Sequence, residues 1–284
     1  MKKILITGAN SYIGTSFEKY IEENYPKQYG IDTVDMIDGS WREKSFSGYD
    51  SVFHVAGIAH QKETKENAHL YYEINRDLAI ETAKKARADG VHQFIFLSSM
   101  SIYGMDVGTI TAHTVPTPKS NYGKSKLQAE EGILQLADEH FKVCILRPPM
   151  IYGKGSKGNY PLLSKIAQKT PVFPYVKNER SMLYIENLCE FVRLMIENEE
   201  SGTFWPQNAE YSNTSELVKM IAEAHGKRVV LVKGLGWLLK LLSHVTPVVN
   251  KAFGSLKYEM DMSGCGGLNL ISLYNSIEKT ESTS

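Results

Sequence analysis

Tyr122 and Lys126 stand four residues apart in Asn121-Tyr122-Gly123-Lys124-Ser125-Lys126. On a helix, residues at that spacing share a face. An ammonium beside a phenol favours the ionised form and brings an ordinary value of about 10 down towards neutrality, where proton transfer is efficient. Upstream, Phe96-Leu97-Ser98-Ser99-Met100-Ser101 ends an apolar run in serines. Ser99 there would hydrogen-bond a carbonyl or alkoxide oxygen, and Tyr122 would give or take its proton. Lys126 would hold a nicotinamide ribose and lower the Tyr122 phenol. The same Tyr-x-x-x-Lys spacing also arises on ordinary amphipathic helices, so its weight comes from the elements around it.

The first of these elements is a strand, Lys3 to Thr7, running into Thr7-Gly8-Ala9-Asn10-Ser11-Tyr12-Ile13-Gly14 and a helix from about Gly14 to Asn24. A glycine turn between strand and helix is the setting of a dinucleotide fingerprint. Gly8 permits the tight turn, and Gly14 lets the helix pack close to the strand. Backbone N–H groups at Asn10, Ser11, Tyr12 and Ile13 would face a pyrophosphate. Ser11 occupies the usual middle-glycine position; its Cβ narrows the approach, while its hydroxyl can donate. A plain strand–turn–helix is the competing reading. A second strand, Ile31 to Asp35, ends in the acid expected to hold the adenosine ribose. Asp32 and Asp38 are alternatives in another register. No arginine directly follows Asp35 and Arg42 is the nearest, which favours NAD over NADP. A third strand, Ser51 to Ala56, leads through His54-Val55-Ala56-Gly57, where Val55, Ala56 and Gly57 would let a cofactor lie against backbone. His54 reads as strand-end packing, and His60 and His69 as exposed positions with no metal-site spacing.

A helix from about Tyr72 to Asp89, a strand from Phe94 to Ser98, the Tyr122 helix to about His140 and a strand from Lys142 to Leu146 complete the pattern. Alternating strands and helices predict an α/β fold, a doubly wound parallel sheet of Rossmann type. After Arg147-Pro148-Pro149 segments shorten and prolines become denser. The expected division is a dinucleotide-binding domain over 1–150, with a later segment near 180–200 returning to it, and a smaller C-terminal substrate lobe over 151–284. The end, from Glu278 to Ser284, reads as frayed.

Composition narrows the rest. The 284 residues carry 32 Lys or Arg against 32 Asp or Glu, so no overall field draws nucleic acid. Cys144, Cys189 and Cys265 have neither disulfide nor metal spacing, and Cys144 reads as a small buried hydrophobe. No apolar stretch is long enough for a transmembrane helix, and Ile4-Leu5-Ile6 is too short for a signal peptide, so a cytoplasmic location is expected. The run from Leu235 to Phe253 is rich in large apolar residues; packing against the substrate lobe, a membrane edge or a dimer contact would each account for it.

The motifs together resemble the extended short-chain dehydrogenase/reductases, and within them the NAD-dependent epimerase/dehydratase group that acts on nucleotide sugars. Thr-Gly-x-x-Ser-x-x-Gly, His-Val-Ala-Gly, Ser-Ser-Met-Ser-Ile-Tyr-Gly, Tyr-Gly-Lys-Ser-Lys, Leu-Arg-Pro-Pro-Met-Ile-Tyr-Gly and Arg-Ser-Met-Leu-Tyr-Ile-Glu-Asn-Leu carry the resemblance over about residues 1 to 205. It implies Ser99, Tyr122 and Lys126 as catalytic residues, Asn75 near the cofactor, and Ser40 and Trp41 at the adenine. Arg180 would meet the substrate diphosphate, with Ser99, Ser101 and Tyr122 on the sugar side. Met150 stands where many members have an asparagine that touches the nucleotide-sugar. Arg-Pro-Pro-Met-Ile-Tyr-Gly and Phe253-Gly254-Ser255-Leu256 are similar to bacterial polysaccharide reductases acting on a UDP-linked 4-keto-6-deoxy-N-acetylhexosamine. The implied activity is hydride transfer at sugar C4 with NAD, as such a reductase; a UDP-hexose 4-epimerase is the alternative. A 4,6-dehydratase would need an acid pair where Met100-Ser101 stands. A non-catalytic nucleotide sensor would usually lack the tyrosine or lysine. The expected partner is a UDP-linked nucleotide-sugar, with a homodimer as a possible assembly.

Overall fold

The computed structural model describes residues 1–59, 61, 63–234, 253–263 and 271–282. In chain order it has β1 (Lys2–Thr7), α1 (Tyr12–Asn24), β2 (Tyr29–Val34), β3 (Ser51–His54), α2 (Ala68–Tyr72), α3 (Leu78–Ala88) and β4 (Gln93–Leu97). There follow β5 (Gly108–Ile110), α4 (Asn121–Leu134), β6 (Lys142–Leu146), β7 (Met150–Tyr152), α5 (Tyr160–Lys169), β8 (Val172–Pro174) and β9 (Met182–Tyr184). The last are α6 (Ile185–Glu197), β10 (Gly202–Phe204), α7 (Thr214–Ala224), β11 (Val230–Val232), β12 (Leu256–Tyr258) and α8 (Leu273–Glu281).

The chain forms two units. The first comprises Met1–Gly104, Val115–Pro148 and Leu188–Pro206; the second comprises Met105–Thr114, Pro149–Asn187 and Gln207–Ser284. The first holds a six-stranded sheet in the order β10-β6-β4-β3-β1-β2, and every pair in it is parallel. A parallel sheet covered on both faces needs continuous apolar strands. Ile4-Leu5-Ile6, Phe94-Ile95-Phe96 and Cys144-Ile145-Leu146 meet that need, all fully buried. The chain leaves β1 for β2 on one side and returns to β3 on the other, so the strand order reverses between β1 and β3. In open α/β sheets ligands bind outside the carboxyl ends at such a point. Register sets those ends side by side, Thr7 beside both Val34 and His54.

Several boundaries differ from the sequence reading. The Tyr122 helix stops at Leu134 rather than near His140, because the Asp138 carboxylate accepts the N–H groups of His140 (2.8 Å) and Phe141 (2.9 Å) and turns the chain into β6. The helix expected from Tyr72 begins at Ala68 and is interrupted by a π-type turn, Glu73–Asp77. The sixth strand, β10, has only three residues and carries no pattern of its own.

In the second unit β7 pairs with β9, β8 with β11 and β5 with β12, all in parallel. Tyr152 is fully buried there, stacked on Tyr160 at 5.2 Å, with its hydroxyl between Ser276 and Asn208. The expected frayed end is instead helix through Glu281. Ser276 and Ile277 are buried and Glu281 accepts from Ser164 at 2.8 Å, which holds the last turn. No helix among the described residues is long and apolar enough to cross a membrane. His60, Cys265 and residues 235–252 of the apolar run lie outside the described residues.

Candidate active site

The turn after β1 engages part of its own backbone: the Ser11 N–H, expected to face a pyrophosphate, donates instead to the Gly8 carbonyl at 3.1 Å. Gly8 has φ +109° and Asn10 φ +63°, and the N–H groups of Gly8 and Ala9 both donate to the Val34 carbonyl. Ser11 is the N-cap of α1, its hydroxyl oxygen accepting from Gly14 N at 3.1 Å. The departure from glycine thus gains a helix cap, typically worth about 1 kcal/mol. A Cβ on Gly14 would meet Ser11 Oγ at 2.8 Å and Ile6 Cγ2 at 3.1 Å, so the helix lies close to the strand as expected of this position. Tyr12 opens the helix with its hydroxyl buried and without a partner among the described residues.

Of the three candidate acids, Asp35 directly follows β2, exposed, with Oδ1 accepting from Ile37 N at 2.9 Å. Asp32 lies inside the strand and accepts from the Tyr49 hydroxyl at 2.8 Å; Asp38 is held by Ser40 N and Oγ. Arg42 is engaged by both carboxylate oxygens of Glu81, at 2.5 and 2.6 Å. Trp41 is almost fully buried against Phe46, with its indole N–H unpartnered among the described residues. At the end of β3, the N–H groups of Val55 and Ala56 donate to the Thr7 carbonyl. His54 is fully buried, bonded to Thr7 Oγ1 at 2.7 Å and stacked on Phe94 and Phe96. Burial, with the nearby Lys126 cation, pulls its imidazole down to about 3, so it stays neutral as packing.

Asn75 sits in the π-type turn with no exposed surface. Its amide exchanges two hydrogen bonds with the Ile58 backbone, at 2.8 and 3.0 Å, and reaches Ser125 Oγ at 3.4 Å. It therefore fixes the loop after Gly57 to α4. A Cβ on Gly57 would meet Asn75 Oδ1 at 2.8 Å and Lys126 Nζ at 3.5 Å, so only glycine fits where this strand end passes the asparagine and the lysine.

Ser99 caps a short 3-10 turn, Met100–Tyr103, accepting from Ser101 N and donating to Ser101 Oγ at 3.1 Å. α4 approaches this turn through Gly123, whose Cβ would come within 2.6 Å of the Ser101 carbonyl oxygen. That close approach sets Tyr122 beside Ser99. Burial raises the Tyr122 phenol; the Ser99 hydroxyl pulls it down and Tyr71 adds to the rise. Lys126 does not lower it. The Lys126 ammonium donates to the Leu97 carbonyl at 2.8 Å and lies 4.6 Å from the centre of the Phe96 ring. Burial brings it down to about 8, opposed by Glu130. The lowering expected from the four-residue spacing is absent, and desolvation dominates the phenol.

A buried network behind this group escaped the sequence reading. Glu130, four residues beyond Lys126, is 1% exposed and bonded to Arg147 through Nε (3.2 and 3.1 Å) and Nη2 (2.6 Å). Arg147 Nη1 and Trp205 Nε1 both donate to the Tyr103 hydroxyl, at 2.9 and 2.7 Å. The Pro148 carbonyl accepts from Met100 N at 2.9 Å. An acid on the same face as Lys126 was the available signal.

Arg180 and Met150 belong to the second unit. Arg180 is partly buried, and its Nη1 donates to the Gly254 carbonyl at 2.7 Å. Burial lowers the guanidinium, and Asp106 opposes that. Glu179 pairs with Lys257 and Glu186 with Lys279, so neither acid holds Arg180 as a surface pair. Met150 is the register partner of Met182.

A doubly wound parallel sheet with a glycine turn at its first strand and a Ser–Tyr–Lys group beyond its fourth defines the dinucleotide-dependent oxidoreductase class of fold. Residues 4–205 match the profile of the NAD dependent epimerase/dehydratase family. The chain belongs to that family and is an enzyme of it. It is 28% identical over 289 residues to a UDP-glucose 4-epimerase of Vibrio cholerae, covering 91% of this chain and 88% of that protein. It is 28% identical over 217 residues to an N-acetyl-alpha-D-glucosaminyl-diphospho-ditrans,octacis-undecaprenol 4-epimerase of Escherichia coli, covering 70% and 64%. The fold matches a UDP-glucuronic acid 4-epimerase from Bacillus cereus in complex with NAD, with a TM-score of 0.74 at 17% identity over 98% of this chain and 95% of that one.

Proposed function

We propose that this enzyme moves hydride at C4 of a UDP-linked sugar, working as a 4-keto reductase on a UDP-linked 4-keto-6-deoxy-N-acetylhexosamine. The observation that carries the reading is the Tyr122 phenol set beside the Ser99 hydroxyl, with Lys126 one helical turn on and its ammonium on the Leu97 carbonyl. A neutral phenol is the form that delivers a proton to a carbonyl oxygen as it is reduced. The Ser99 hydroxyl would hold that oxygen, with the Ser101 side chain supporting it.

The residues present fit a nicotinamide dinucleotide. The Asn10, Tyr12 and Ile13 backbone and the Ser11 hydroxyl suit its phosphates, and Asp35 suits ribose hydroxyls in the NAD form. Exposed Ser40, next to the buried Trp41, suits the adenine end, and the strand end Val55, Ala56 and Gly57, exposed at Gly57, suits close approach. Such a cofactor supplies the hydride when bound. Lys126 would exchange the Leu97 carbonyl for a ribose hydroxyl. Arg180 would hold the substrate diphosphate through its planar fork of donors.

The second reading, a UDP-hexose 4-epimerase, is favoured by the similarity to the Vibrio cholerae epimerase along nearly the whole chain. The test supplies NADH with the UDP-linked 4-keto-6-deoxy sugar, and separately UDP-glucose or UDP-GlcNAc with catalytic NAD. Stoichiometric oxidation of NADH by the keto sugar supports the reductase. Conversion of the hexoses without net redox change replaces it with the epimerase.

A further inference from the structure

Charge is segregated in the second unit. Residues 149–178 and 224–258 together contain eleven Lys or Arg and no Asp or Glu, in a chain with 32 acids in 284 residues. Pairing of β8 with β11 joins the two stretches, with Val172 opposite Val230. Lys227 Nζ on the Gln168 carbonyl, at 2.7 Å, ties the end of α7 to α5.

α5 shows what this does to a surface. Tyr160, Ser164 and Ala167 form its buried side. Leu162, Lys165, Ile166 and Lys169 are exposed at spacings of three and four, the spacing of one helix face. β8 and β11 add exposed Val172 and Val230, and the turn before β11 adds exposed Lys227 and Arg228. Among the described residues none of Lys165, Lys169, Lys227, Arg228 and Lys233 is in an ion pair. Glu281, bonded to Ser164 and His225, is itself buried, with its side chain 7% exposed.

We infer that the α5–β8–β11 face of the second unit is a docking surface for an anionic lipid bilayer. Aliphatic side chains interleaved with unpaired cations suit headgroups and the acyl boundary together. A nucleic-acid surface would set several aromatic residues among the cations for base stacking, whereas of these cations only Lys233 lies over a ring among the described residues, that of Tyr175 at 5.8 Å. The net charge of zero gives the whole chain no general attraction to polyanions, so the attraction is local to this face. It does not rest on the substrate reading.

The test is co-sedimentation of the full chain with vesicles of phosphatidylcholine alone, or with roughly one third phosphatidylglycerol, at low and high salt. Binding to the anionic vesicles, weakened by salt, is the expected result. Each cation near such a surface strengthens binding by roughly five-fold. Lys165→Glu with Lys169→Glu and Arg228→Glu should therefore lower the partition coefficient by about 100-fold or more. Ile166→Ser with Val230→Ser should weaken it at both salt concentrations. Dinucleotide binding should be unchanged in each variant, which shows that the fold is kept. Should the triple variant fail to fold, Lys169→Gln with Arg228→Gln gives the same reading at roughly 25-fold. Equal binding to both vesicle types, or retention by the charge variants, overturns the proposal. So does binding to heparin or RNA that exceeds vesicle binding and ignores the serine variant.

Discussion

Removing Glu130 should be among the most damaging single substitutions in the first unit. The carboxylate is 1% exposed and the arginine it holds is 14% exposed. Glu130→Ala leaves the Arg147 guanidinium, 2.6 Å from its present partner, with the Tyr103 hydroxyl as a neutral acceptor at 2.9 Å. Breaking one side of a buried pair typically costs about 3–5 kcal/mol, against a total of roughly 5–15 kcal/mol for a folded domain. Urea unfolding followed by circular dichroism should show a midpoint lowered accordingly with an unchanged slope. Glu130→Leu combined with Arg147→Met removes both charges and should recover most of the loss, since apolar replacement of a buried pair is often neutral. The pair also joins α4, which carries Tyr122 and Lys126, to the strand end whose Pro148 carbonyl fixes Met100 beside Ser99. In folded protein, kcat should therefore fall more than KM changes. A loss below about 1 kcal/mol in Glu130→Ala would refute the reasoning, because that is the cost of an exposed pair.

Four further outcomes are expected. Tyr122→Phe should lose at least roughly 100-fold in turnover while binding dinucleotide normally by calorimetry; wild-type rates would remove Tyr122 from the mechanism. NAD should bind more tightly than NADP in parallel titrations, since Asp35 stands exposed directly after β2, where the proposed cofactor's ribose would lie, and Arg42 is taken by Glu81; the reverse order would show the second-strand register to be wrong. Arg180→Ala should raise the substrate KM and weaken UDP binding without touching dinucleotide affinity, and unchanged UDP binding would exclude Arg180 as a ligand. The Lys126 ammonium is held down to about 8 in the folded state, below the roughly 10.4 of a free lysine. Between those values the unfolded chain binds more protons, so stability rises with pH across that window. Lys126→Met should flatten the rise, and equal slopes in the two proteins would mean the lysine is not buried in solution.

What could be read from the sequence follows from range. Ile4-Leu5-Ile6 and Phe94-Ile95-Phe96 are legible as buried parallel strands because their periodicity is a local property. The end of α4 was misread because the carboxylate of Asp138, not the apolar pattern, decides where the chain turns. The C-terminal helix was misread because the partners of Glu281, Ser164 and His225, lie far from it in sequence. The same division runs through the site. Four-residue spacing places Tyr122 and Lys126 on one helical face, but their proton chemistry is set by burial, which depends on strands and loops dozens of residues away. The Lys126 charge faces the Leu97 carbonyl, the Phe96 ring and Glu130, and none of these contacts is implied by a Tyr-x-x-x-Lys pattern. The raised phenol and the lysine bonded to a backbone carbonyl both follow from burial of α4 against the sheet. A ribose hydroxyl accepting from Lys126 would draw the ammonium off Leu97 and towards the ligand. Any lowering of the phenol then belongs to the assembled complex rather than to the spacing of two residues.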